Sequence, residues 1–181
     1  MKTMKNNLKK SMALLAFVAV FALTFTGCKK SDSNNSGGDT PTPPPAGNYG
    51  TITVAGQEYT IAIGMYHIKY NEDIHANFVT ITLADGIGQN ANLYSVYIPY
   101  QDNIPLSTFN YSIQVPTPQG SCRGSFSSNG NALLCIGGNI TISQVNGKYK
   151  IESSGSATDT SGQGLELPFE VDFEGPLTEE N

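Results

Sequence analysis

Leu165-Glu166-Leu167-Pro168-Phe169-Glu170-Val171-Asp172-Phe173-Glu174 puts an apolar residue at every odd position and an acid or proline at every even one. A period of two belongs to a β-strand with one buried and one solvated face. Pro168 has no N–H to give to a ladder, so the strand is expected at a sheet edge or at a bulge. Upstream, Ile140-Thr141-Ile142-Ser143-Gln144-Val145 and Lys148-Tyr149-Lys150-Ile151-Glu152 flank Asn146-Gly147. Asn-Gly suits a type I′ turn, in which both central residues take φ > 0. That turn sets Ile142 opposite Ile151 and Gln144 opposite Tyr149.

The same reading extends outward. Thr51–Val54 and Glu58–Ile63 flank the short turn Ala55-Gly56. Tyr66–Tyr70, Val79–Leu83, Tyr94–Ile98 and Phe109–Val115 are further strands, the last closed by Pro116 and Pro118. No long stretch after residue 47 repeats its apolar residues every 3.6 positions, so helices are not expected. Eight to ten short strands with turns between them predict an all-β domain. The expected form is an antiparallel β-sandwich, immunoglobulin-like or jelly-roll-like, with a barrel as second choice.

Composition agrees. Of 181 residues only 14% are charged, and there are 19 Gly, 9 Tyr, 8 Phe and no Trp. Residues 48–181 carry four cations, Lys69, Arg123, Lys148 and Lys150, against thirteen acids, a net of −9. A domain that acidic lacks the charge for binding nucleic acid by counterion release.

The first 47 residues read differently. Met1 to Lys10 is basic, and residues 12–25, MALLAFVAVFALTF, form an apolar run of 14. A bilayer span needs about 20 such residues, whereas a signal-peptide core needs fewer. Thr26-Gly27-Cys28 follows, and small residues just before a cysteine resemble the lipobox of bacterial lipoproteins. Phe25 departs from the leucine usual in that motif. The resemblance implies cleavage before Cys28 and lipid on its sulfur, so the membrane is a partner through that lipid. Several acyl chains give stable anchoring where one is marginal. Residues 29–47, KKSDSNNSGGDTPTPPPAG, cannot bury enough apolar surface to order themselves, so they are expected to be a tether. The expected organisation is a signal peptide over 1–27, lipidated cysteine and tether over 28–47, and one domain over 48–181. Lys29 is not the aspartate that retains enterobacterial lipoproteins at the inner membrane, which implies an outer-membrane location.

Few residues suggest chemistry. Cys122 and Cys135 are an even remainder in an exported chain, and Ser127-Ser128-Asn129-Gly130-Asn131 between them is a turn cluster. A hairpin centred between Ser128 and Asn129 sets the two directly opposite, within disulfide range; one residue later makes them diagonal. Tyr66, Tyr70, Tyr97 and Tyr100 lie out of phase with, or at the end of, their apolar faces, which makes them candidates for stacking against a glycan. The only histidines, His67 and His75, cannot form a zinc site without a converging carboxylate. Glu166, Glu170, Asp172 and Glu174 share one strand face, on which alternate residues stand about 6.8 Å apart, too far for neighbours to share a cation unaided. Charge on an edge strand also blocks edge-to-edge association. No catalytic motif and no cofactor motif is present, so neither catalytic residues, metal nor cofactor is expected.

Taken together, the lipobox, the Asn/Pro-rich tether, the G-x-I-T-x hairpins and the closing Phe173-Glu174-Gly175-Pro176-Leu177 resemble the small β-sandwich lipoproteins of gut Bacteroidetes. The resemblance implies a non-catalytic, lipid-anchored envelope protein whose partner is an envelope protein or a glycan. A glycan-binding accessory role in polysaccharide uptake is the alternative, and a hydrolase the more remote one.

Overall fold

The computed structural model describes residues 47–180 apart from 89, 129–130 and 160–163. The apolar run, Cys28 and nearly all of the tether lie outside the described residues. The described residues form eleven strands and no helix. These are β1 (Gly50–Val54), β2 (Gln57–Thr60), β3 (Ile63–Asn71), β4 (Ala76–Ala84), β5 (Leu93–Pro99) and β6 (Thr108–Tyr111). They continue as β7 (Ser121–Ser128), β8 (Asn131–Val145), β9 (Lys148–Asp159), β10 (Leu167–Gly175) and β11 (Thr178–Glu179).

Turn chemistry sets two registers. Asn146 and Gly147 take φ of 53° and 78°, and Ala55 and Gly56 take 52° and 80°. Both pairs are type I′ turns, whose twist matches that of the strands they join. Ile142 accordingly faces Ile151, and Gln144 faces Tyr149.

All eleven strands belong to one ladder, in the order β11-β3-β4-β5-β7-β6-β8-β9-β10-β1-β2. The fold is therefore all-β, but the ladder is continuous where a two-sheet sandwich has a break. The sheet curls into a half-barrel. The cause is covalent: β2 and β3 stand near opposite ends of the ladder, yet only Ile61 and Ala62 separate them. The Ile61 N–H donates to the Gly50 carbonyl beside β2, and the Ala62 N–H donates to the Ala84 carbonyl beside β3, both at 2.8 Å. The curl brings Phe173 of β10 over Gly64 of β3, where an added Cβ would lie 2.7 Å from the ring.

The concave face holds the core. Val79, Ile81 and Leu83 of β4 meet Tyr94, Val96 and Ile98 of β5, with Ile140, Ile142, Ile151, Val171 and Phe173 from the other half. Burying each such side chain stabilises by about 1.5–3 kcal/mol. One polar chain crosses this core. The Tyr94 and Tyr111 hydroxyls hydrogen-bond each other, Tyr111 lies 2.5 Å from the Ser153 hydroxyl, and Ser153 donates to the Asn139 carbonyl at 3.0 Å. Burial without such partners would cost about 1–3 kcal/mol per hydroxyl.

The structure corrects three sequence expectations. β10 is not an edge strand: it lies between β9 and β1. Pro168 is tolerated because its carbonyl, accepting from the Ala55 N–H at 2.9 Å, points beyond the last rung of the β1–β10 ladder. In an extended strand the missing N–H points the same way, so no rung is lost. Second, the strand expected over Phe109–Val115 stops at Tyr111, and Ile113 and Val115 are exposed in the loop that follows. Third, the expected Cys122–Cys135 disulfide is not formed; both thiols are free and buried. Ser125 faces Leu134 and Ser128 faces Asn131, so the hairpin centre lies one residue later than a direct pairing needs. Cys135 then falls opposite Gly124, diagonal to Cys122. The β7–β8 pairing also ends at Ser125 and Leu134, just before a register shift of β8 against β9 at Cys135/Gly137, and β6 fills the fork by pairing Tyr111 with Cys122.

Candidate functional site

Two outer surfaces of the described residues gather the side chains with chemistry to offer. The first is the outer face of β8, β9 and β10, where alternation turns every second side chain to solvent. Asp172 pairs across strands with Glu152, and Glu152 with Thr141; Glu170 pairs with Ser154, and Ser154 with Asn139. These six residues line a shallow hollow of about 160 Å3. Small-molecule sites run to roughly 300 Å3 and more. Carboxylates directly opposite one another repel. Lys150 relieves part of this by donating to Glu152 at 2.7 Å, and that bond raises the pKa of its ammonium. No group of three or more His, Cys, Asp or Glu among the described residues is placed to hold a metal ion. The acidic residues thus lie on the open face of an interior strand, a position the edge-strand reading did not anticipate.

The second surface is the outer face of β3, β4, β5 and β7. His67, Thr80, Tyr97 and Arg123 form one row across the four strands, and Lys69, Phe78 and Pro99 form the next. Phe78 packs against Tyr97 with ring centroids 4.8 Å apart, and edge-on against His67 at 6.0 Å. The rings close over Thr80, which is only 5% exposed although it points away from the core. Burial raises the Tyr97 pKa, and the Asn71 side chain hydrogen-bonds its hydroxyl. Burial lowers the Arg123 pKa, with Tyr97 acting in the opposite sense. His67 is lowered by burial and by Lys69, against the pull of Glu180, whose carboxylate is 3.7 Å from Nδ1.

The four tyrosines singled out from sequence do not share a face. Tyr66, Ile68 and Tyr70 pair with Ile81, Val79 and Asn77, so they lie on the concave side, the reverse of the phase expected for surface tyrosines. Tyr66 packs against the core and its hydroxyl reaches Glu179 at 3.4 Å, while Tyr70 is exposed where β3 runs beyond the two residues of β11. Tyr97 is on the outer face, and Tyr100 follows β5 at φ 62°. Sequence reading missed Phe78 and Arg123, the neighbours that give Tyr97 a setting. Phe78 was visible by its phase, since it alternates out of step with Val79, Ile81 and Leu83. Arg123 was not, because β7 has no apolar alternation beyond Cys122 and Phe126.

Comparison with protein-family models, with characterised proteins and with solved structures finds no match for this chain.

Proposed function

We propose that this chain is a non-catalytic, lipid-anchored protein of the bacterial cell envelope, at the outer membrane, that presents the outer surfaces of its β-domain to a partner. The observation that carries the reading is the sequence from the basic Met1–Lys10 through the apolar run to Thr26-Gly27-Cys28. Lipid fixes location, the tether gives reach, and the sheet makes contact. Residues 29–47 number nineteen and span at most about 60 Å when extended. A packed concave core and a shallow outer hollow favour contact with an extended partner over enclosure of a small substrate. We read the fold as barrel-like, with the opposed halves of one sheet serving as the two layers that a sandwich would supply.

The test is Cys28→Ala. Loss of fatty-acid labelling and release from the membrane fraction are expected; retention of both would exclude the lipoprotein reading. A second reading, a glycan-binding accessory lipoprotein of a polysaccharide-uptake system, draws support from the Phe78–Tyr97 ring pair on the outer face.

A further inference from the structure

We propose that the outer face of β3, β4, β5 and β7 is a binding site for carboxylate-bearing sugar chains, with Phe78 and Tyr97 as the stacking surface and Arg123 and Lys69 as the anion contacts. The proposal rests on the reading of the domain as a displayed binding surface and names the ligand for one of its faces.

Charge distribution is the first argument. In a domain of net −9, two of the four cations stand on this face, one at each side of the rings. Lys69 is the cross-strand neighbour of Phe78, and Arg123 that of Tyr97. Three strand spacings separate β3 from β7, about 14 Å, so the two cations bracket a ligand several sugar rings long. His67 adds a third nitrogen group in the Tyr97 row. Two acids face this patch: Glu180 beside His67 at its β3 side, and Asp73 of the β3–β4 turn, near enough to act on the Tyr97 hydroxyl.

Shape is the second argument. Four adjacent strands make a broad surface here, which suits a sugar ring laid across them. Stacked sugar rings offer C–H groups to aromatic faces, and a guanidinium takes a carboxylate in two parallel hydrogen bonds. Arg123 is half-buried beside Tyr97, so its charge is less hydrated than that of an exposed guanidinium. The overall negative charge of the domain does not by itself prevent this, because at 0.15 M salt the Debye length is about 8 Å and exposed charges beyond the patch are largely screened.

The experiment is calorimetric titration of the purified full chain in detergent at 0.15 M salt. The titrants are oligogalacturonate, a neutral galactan of equal length, and dextran sulfate. Binding of oligogalacturonate at least tenfold tighter than either control is expected. No heat with oligogalacturonate overturns the proposal, and so does equal binding of the neutral chain, which would mean stacking without anion recognition. Equal binding of dextran sulfate overturns it too, since that is charge alone. Arg123→Gln should weaken oligogalacturonate binding about tenfold, and Lys69→Gln, at an exposed position, should weaken it by a smaller factor without unfolding the domain. Unchanged affinity in a folded Lys69→Gln, Arg123→Gln double variant would also overturn it. None of these outcomes depends on Cys28, so failure here and failure of the membrane-anchor reading are separately visible.

Discussion

Cys122 and Cys135 occupy adjacent strands yet stand diagonal, because the register sets Gly124 opposite Cys135. Burial pushes the Cys122 thiol up to about 12 and the Cys135 thiol higher than its ordinary value. Only a thiolate attacks an alkylating agent, so both should be inert in the native protein. Titration with a thiol reagent should count neither of them at neutral pH and both after unfolding; two missing thiols under denaturing, non-reducing conditions would instead mean a bond. His67 supplies a second residue-scale prediction. Its pKa is lowered in the folded state by burial and by Lys69, with Glu180 opposing. The folded protein therefore holds fewer protons than the unfolded chain just below pH 6.5, the ordinary histidine value. The His67 contribution is intact above that pH and is lost as pH falls through it toward the folded value. The melting temperature should drop between pH 7.5 and 5.5 by more in the wild type than in His67→Gln, and equal drops would count against it.

Elements differed in how far sequence alone could define them, and the reason is range. The β1–β2 and β8–β9 hairpins were legible because two residues with φ > 0 determine each turn and hence each register. β10 was legible as a strand, and Phe169, Val171 and Phe173 are buried as its alternation requires. Its neighbours were not, because strand order depends on contacts more than a hundred residues apart. β7 was legible only as one arm of the cysteine hairpin, since Ser, Gly and Arg interrupt its apolar positions, and Tyr66 was misplaced since Tyr-His-Ile-Lys-Tyr alone does not say which phase faces the core. One element-scale prediction follows from close backbone approach where β8 crosses β9. A Cβ on Gly155 would lie 2.0 Å from the Gly137 carbonyl oxygen, and one on Gly138 would lie 2.0 Å from the Ser154 carbonyl oxygen. Neither obstacle is a side chain that can move aside. Gly155→Ala should destabilise by several kcal/mol, while Gly56→Asn, in an open turn, should cost little; urea titration of both variants checks the contrast.

At the scale of the molecule, closure is the feature that composition and periodicity could not disclose. Phe173 sits at the place where the two ends of the ladder meet: its ring packs edge-on against Tyr49 at 6.1 Å and caps Gly64, with no exposed surface. Truncating a buried phenylalanine costs about 3–5 kcal/mol through lost burial and the cavity left behind. Phe173→Ala should therefore shift the urea midpoint further than Phe78→Ala on the outer face. A comparable shift for the two would mean that closure contributes little. A carboxylated-sugar site on the outer face is compatible with this division of labour, because the residues it uses are not those that close the sheet.

The pairing of Gly50 with Phe173 joins residues 123 positions apart, and β1 has no other long partner than β10. A ribosome adds about 5–20 residues per second, so the first strand waits roughly 6–25 seconds before its main partner exists. Until then the β1–β2 hairpin has one edge of β1 unpaired and cannot complete the sheet. On the proposed export reading, that delay would be useful: the polypeptide would stay threadable until its last long strand had been made, and close only on the far side.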